Sequence, residues 1–483
     1  MVAMTASAVG LRSERGPVLL AIMVSTGVVA IDATILATAV PAIVADVGGF
    51  AQFPWLFSIY LLTQSVTVPV YAKLADTLGR KRIVLFGITV FLVASILCGV
   101  AWDMPSLIAF RALQGIGAGA MLPVTTTIIG DIYTVEERAR VQGYVASVWG
   151  IAAVAGPTLG GIFAELDAWR GIFWVNIPLC ILAFWLLARG YHESREPRRH
   201  RIDVAGAVLL TVALSLLLLA VLEGGHAWAW LSLPTALLTG AGVVLLIVFV
   251  LVERRAAEPV LPMWIFTRPL LRSTNLVGLA VGAALAGLTA YVPTYLVVGL
   301  DVSPLVAGLA LATLTIGWPI AAALSGRLYL RIGFRATAII GSVVVLVGVA
   351  SLSLLSHSPS IPLVAATSFV IGLGFGFASV PAIVAAQSSV GWDERGVVTG
   401  AGMFARSIGQ ALGAAVLGAV ANGVIAGRGG DETDPATIIA ASTAVFVGAT
   451  VVAVVLVVAA IAMPRECIAP GSESPDAASG SSV

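Results

Sequence analysis

Charge is what this chain has least of. Only 11% of its 483 residues are Asp, Glu, Lys or Arg, whereas 59% are hydrophobic and the mean hydropathy is +1.03. A water-soluble domain carries about 25% charged and about 45–50% apolar residues, so a soluble enzyme is excluded. Cysteine is scarce too. Cys98, Cys180 and Cys467 are too few and too scattered for a disulfide framework or a thiolate metal cluster. All four histidines (His192, His200, His226 and His357) sit in polar segments between apolar runs, which argues against haem or metal sites inside a membrane. Lysine occurs only at Lys73 and Lys81, and neither belongs to a G-x-x-x-x-G-K-[ST] phosphate loop. ATP hydrolysis is therefore not the expected energy source, and no cofactor is expected. A net charge of +1 and a pI of about 7.8 give no basis for a nucleic-acid partner.

Long apolar runs are abundant. A bilayer core needs roughly 20 apolar residues in a helix. Fourteen such runs are predicted, at 17–40, 54–74, 84–102, 105–129, 141–163, 168–189, 203–223, 231–252, 273–297, 304–326, 337–356, 361–386, 397–420 and 437–463. They are continuous rather than alternating, which excludes a transmembrane β-barrel. The first carries Asp32 well inside and is read as a retained helix rather than a signal peptide. Placing the N-terminus in the cytoplasm puts nearly all basic residues inside. Only Arg170 and Arg428 fall outside, and Arg111 and Arg406 lie within spans. An even number of spans returns the C-terminus to the cytoplasm. The expectation is an all-α, multi-pass protein of the cell membrane.

The sequence contains an echo. Ala72 to Lys81, between spans 2 and 3, resembles Gly326 to Arg335 between spans 10 and 11. Glu137-Arg138 through Gly143 resembles Glu394-Arg395 through Gly400 at nearly the same offset. Two echoes at one offset argue for duplicated halves. The organisation read from this is a tail (1–16), a six-helix bundle (17–189), a basic loop (190–202) and two extra helices (203–252). A linker (253–272), a second six-helix bundle (273–463) and a tail (464–483) follow. The linker holds Trp264 in a segment too short to span, suited either to the membrane interface or to a plain loop.

Of 25 acidic residues, Asp32 alone is placed deep in a span. Such a residue costs about 2.5–3.5 kcal/mol on insertion scales and is usually functional. It lies roughly 12 Å from the outer end of span 1, and Arg111 roughly 9 Å from that of span 4, by helical rise. At matching depths the two can share one water-filled cavity, where the carboxylate's protonation would follow conformation, or form a static ion pair. Arg406 is the second deep cation, with no deep acid in its half; carbonyls, an anionic group or Asp32 are its possible partners.

Glycine supplies the remaining pattern. Gly150 to Gly161 contains Gly156-Pro157 and Gly160, spacings that permit close helix packing with a bend. Arg111 to Gly119 reads R-A-L-Q-G-I-G-A-G. Together with Ile31-Asp32-Ala33-Thr34-Ile35 and residues 72–82, these segments resemble four motifs, in order, of the major facilitator superfamily, and specifically its 14-span drug:proton antiporter family. Trp169 to Pro178 is similar to that family's span-6 opening. Ala72 and Thr77 depart from the loop motif G-x-L-a-D-r-x-G-r-k, and Leu330 replaces the acid in the second half.

The resemblance implies a major-facilitator fold of two six-helix bundles plus two extra helices. It implies proton-coupled export of hydrophobic or amphiphilic compounds by alternating access. Asp32 would carry the proton with Arg111 tuning it. Asp76, Gly79, Arg80, Lys81 and Arg138 would form the cytoplasmic gate, and Gly150, Gly156, Pro157, Gly160 and Gly161 the antiporter helix. A cavity for lipophiles should be apolar with few polar groups; its candidate lining is Thr34, Gln114, Trp149, Tyr291, Tyr295, Trp318 and Phe377, with Arg406. Expected partners are a lipophilic small molecule, protons and membrane lipids, with the chain a monomer. A lipid exporter and a proton-coupled importer of a small metabolite are the rival transport readings. A lipid-modifying enzyme is the rival of another class, for which no catalytic constellation is found.

Overall fold

The breaks between apolar runs are written in local chemistry. Asp103 accepts the N–H of Ser106 at 2.9 Å, and Ser106 Oγ accepts that of Asp103 at 3.3 Å. This reciprocal capping box starts a helix, and Thr134 with Glu137 repeats it. Gly79 (φ 101°) and Gly333 (φ 86°) hold a backbone conformation costly to other residues, each at the turn of one of the two echoing hairpins.

The computed structural model describes residues 10–48, 52, 55–193, 203–224, 228–229, 232–256, 259–355, 360–428 and 434–465. Most of the predicted basic loop and of both tails lies outside them. The described chain forms α1 (Gly16–Val47), α2 (Trp55–Leu78), α3 (Arg80–Gly99), α4 (Met104–Ile132), α5 (Val135–Glu165), α6 (Gly171–Trp174), α7 (Asn176–Gly190), α8 (Val204–Glu223) and α9 (Leu233–Glu253). It continues as α10 (Trp264–Thr267), α11 (Pro269–Thr294), α12 (Pro304–Ile332), α13 (Phe334–Leu355), α14 (Ile361–Ser388), α15 (Arg395–Gly427) and α16 (Pro435–Ile461).

Packing follows a repeated scheme. In the first bundle α1 packs on α5 and α7, α4 on α2 and α3, and α3 on α7. In the second α11 packs on α15 and α16, α14 on α12 and α13, and α13 on α16. The bundles meet along two seams, α5 with α12 and α15 with α2, which are the same pairing with halves exchanged. The α8–α9 pair lies outside, with α8 against α2 and α15. There Leu210, Leu214, Leu218 and Phe249 share one apolar cluster with Val66, Val68, Val397 and Phe404. The linker ends on this same cluster. Val260, Leu261 and Ile265 are buried in it, and Arg268 sits over the Trp264 ring at 4.2 Å.

Among the described residues twelve helices are long and apolar enough to cross a membrane, two fewer than the sequence reading. The difference lies in α2, whose apolar run is interrupted by Ser58, Thr63, Gln64, Ser65 and Thr67, and in α8, whose apolar stretch is Ala205–Ala220.

Candidate functional site

The deep charges come together inside the first bundle. Asp32 on α1 takes Nη1 of Arg111 on Oδ2 at 2.6 Å. Its Oδ1 accepts from Gln114 Nε2 at 2.8 Å and from Asn176 Nδ2, on the first turn of α7, at 3.2 Å. Arg111 also donates Nε to the Leu56 carbonyl at 3.1 Å and Nη1 to Gln114 Oε1 at 2.7 Å, and lies 4.3 Å over the Tyr60 ring. Gln114 reaches Ser95 of α3 at 3.0 Å. Five helices thus contribute to one network, and Asp32 and Arg111 are each 1% exposed. Buried polar atoms in an apolar interior must satisfy one another. For that reason the pair sits within the bundle, and Gln114, fully buried, belongs to this network rather than to a cavity wall.

A second cluster joins the halves at the end bearing Lys73, Arg80, Lys81 and Arg138, here called the basic end. Asp76 accepts the N–H of Gly396 on Oδ1 at 3.1 Å and that of Val397 on Oδ2 at 2.9 Å. Both donors belong to the first turn of α15, where free N–H groups and the helix dipole favour an anion. Arg80 pairs with Asp76 at 2.9 Å and with Asp131 at 2.7 Å, donates to the Trp392 carbonyl at 2.7 Å and lies 3.6 Å from the centre of that residue's ring. Arg395 binds the Gly130 carbonyl at 2.8 Å and Asp131 at 3.2 Å. Arg138 reaches the carbonyls of Gly130 and Tyr133 and Ser388 Oγ. Lys81 instead ties α3 to the Ala188 carbonyl of α7 at 2.6 Å, and Gly79 turns the chain between α2 and α3. Burial pushes the Asp76 carboxyl up to about 7, against the opposing pull of Arg80 and the two backbone donors.

The glycine-rich helix divides by face. A side chain at Gly156 or Gly160 would collide with Thr34 and Thr38 of α1, whereas Gly161 has open space around it and Gly150 faces Thr315 and Pro319 of α12. Thr34 donates to the Ala152 carbonyl at 3.0 Å and Thr38 to that of Pro157 at 3.2 Å, stitching α1 to α5 within the first bundle. Between α5 and α12 lies an apolar groove of about 790 Å³, lined by Gly150, Ile151, Val154, Ile316, Pro319 and Ile320.

The remaining predicted cavity residues scatter. Trp149 is exposed, while Tyr291, Phe377 and Arg406 are partly buried. The Trp318 ring lies tilted against that of Phe375, their centres 5.3 Å apart. Tyr295 is a correction: it is 1% exposed, edge-on to Phe446 at 5.9 Å, in the core of the second bundle. Its hydrophobic body wins over its single hydroxyl. Asn176, Tyr60, Ser95, Asp131, Arg395 and Trp392 escaped the sequence reading as site members. Asn176 stands in the motif-like segment opening span 6, and Arg395 in the second echo, so each carried a signal.

Comparison with known proteins agrees with this architecture. The sequence profile of the Major Facilitator Superfamily matches residues 22–414. The chain is 36% identical to the multidrug transporter protein MdtP of Bacillus subtilis over 415 residues, 86% of this chain and 76% of that one. It is 34% identical to multidrug resistance protein 3 of the same organism, over 83% of this chain and 78% of the relative. Among solved structures, the human organic anion transporter MFSD10 superposes with a TM-score of 0.66 at 14% identity, covering 92% of this chain and 99% of that one. The chain is a multi-pass, all-helical membrane protein with multidrug efflux pumps among its relatives, and it belongs to the Major Facilitator Superfamily.

Proposed function

We propose that the chain is a proton-coupled antiporter exporting hydrophobic or amphiphilic compounds by alternating access. The observation that carries this reading is the buried Asp32–Arg111–Gln114–Asn176 network inside one bundle of a two-bundle fold. A carboxylate so enclosed exchanges its proton only when the bundles move and water reaches it. Arg111, Gln114 and Asn176 all engage this one carboxylate.

The cross-half polar contacts of Asp76, Arg80, Arg138 and Arg395 support a state closed at the basic end, which we place in the cytoplasm. In this reading α2 and α8 also cross the bilayer, giving fourteen spans. Both termini are cytoplasmic, the membrane is the plasma membrane, and the chain works as a monomer driven by the proton gradient without a bound cofactor. The groove between α5 and α12 favours cargo that partitions into lipid, a property shared by lipophilic drugs and by lipids themselves.

The test is uphill efflux of a lipophilic dye from proteoliposomes under an imposed pH gradient. Asp32→Asn is expected to abolish it while the protein still purifies as a folded species. Unchanged uphill efflux in that variant removes Asp32 from the coupling.

A further inference from the structure

Each half carries one deep cation, and the two are treated oppositely. Arg111 is neutralised by Asp32. Arg406, on α15, has no counter-charge: among the described residues no carboxylate, hydrogen-bond acceptor or aromatic ring engages its guanidinium. It is partly buried. A guanidinium stays charged at any physiological pH, so the interior retains one uncompensated positive charge while the Asp32–Arg111 pair is neutral.

Its position follows from the repeat. Gly400 abuts Ala72 of α2 just as Gly143 abuts Ala323 of α12. Six residues beyond each glycine stand Arg406 and Trp149, which therefore occupy corresponding places in the two halves. Arg406 also repeats, two turns on, the face of Thr399, whose hydroxyl accepts from Gln387 of α14 at 3.0 Å. Ser407 and Gln410, both partly buried, adjoin it on the polar side of the helix. The exposed Trp149 ring and the partly buried Arg406 guanidinium, with Ser407 and Gln410 beside it, thus stand at corresponding places of the two halves.

We propose that Arg406 binds the anionic group of an amphiphilic cargo whose apolar body lies toward Trp149. This deepens the export reading above and rests on it. A planar guanidinium offers paired N–H donors to a carboxylate or phosphate oxygen, and neutralising it relieves the cost of an isolated charge inside the membrane. Cationic lipophiles would be repelled from the same place.

The experiment compares 11-(dansylamino)undecanoic acid with its methyl ester, using the full-length protein in phosphatidylcholine proteoliposomes and subtracting protein-free vesicles. A charge-assisted hydrogen bond predicts a preference of about tenfold for the acid in the wild type. Arg406→Gln is expected to bring the acid-to-ester ratio close to one, and Arg406→Lys to restore part of it. Equal affinity in the wild type, or a preference that survives in folded Arg406→Gln, overturns the proposal. Adding phosphatidylglycerol separates two sources of the same chemistry. Displacement of the acid from wild type by that lipid identifies a lipid headgroup as occupant, whereas persistence of binding identifies a small exported acid. Uphill transport of both probes without preference sinks the anion site and leaves export standing, whereas transport of neither probe under a pH gradient sinks the export reading itself.

Discussion

The carboxylate of Asp76 takes the backbone N–H of Val397 at 2.9 Å, and with its bond to Gly396 it fastens α2 of the first half to the opening turn of α15 in the second. The acid is buried and Arg80 is wedged beside it, so this contact is a latch rather than a surface ornament.

Removing the latch is expected to open the basic end. Asp76→Ala leaves two helix N–H groups and Arg80 without their acceptor, and a hydrogen bond to a charged group is worth about 1.5–3 kcal/mol. The closed state should lose about ten- to a hundredfold in population. Spin labels on the exposed Arg140 and Arg327, across the α5–α12 seam, would register the change as a longer distance.

The same latch predicts a pH dependence with a defined sign. Asp76 lies beyond the apolar run 54–74 of α2, and burial raises its carboxyl to about 7 when the basic end is closed. Opened to water it returns to the ordinary value of about 4. The closed state therefore binds the proton more tightly, so its stabilisation is full below about pH 4 and is lost as pH rises through 7. The label distance should shift toward the closed value on acidification from pH 8 to 6, and Asp76→Asn should be flat over that range.

Arg111 is expected to matter more for stability than Asp32. Replacing Arg111 with Leu strands a buried carboxylate, a loss of about 3–5 kcal/mol when one partner of such a pair is removed. Asp32→Asn keeps an acceptor for Arg111 and costs less. Thermal melts of the two variants in detergent check the order; a more stable Arg111→Leu protein would contradict it.

The glycine helix yields a paired test. Gly156→Ala drives a methyl group into Thr34 and should cost about 1–3 kcal/mol. Gly161→Ala meets open space and should be neutral or stabilising by up to about 1 kcal/mol from helix propensity. Melting temperatures of the two proteins decide it.

Hydropathy and the paired echoes made the helices and their duplication legible, since a bilayer demands long apolar runs and both hairpins require a glycine at positive φ. Asp32 and Arg111 were legible because charge at such depth is costly. Their neighbours were not. Whether Asn176, Tyr60 or Ser95 faces Asp32 depends on the rotation of each helix, which a nearly uniformly apolar span leaves unwritten. Gln114 and Tyr295 show the converse, since polar or aromatic character alone does not distinguish a cavity wall from a bundle core. The span count diverged where Gln64 and a row of hydroxyls dilute α2.

The α8–α9 pair has an effect on access that the twofold scheme alone would not produce. By leaning on α2 and α15 it plugs one of two otherwise equivalent clefts, and the cleft between α5 and α12 keeps its open groove. A duplicated scaffold has in this way acquired two unlike sides, one covered by an added helix pair and one that keeps its groove.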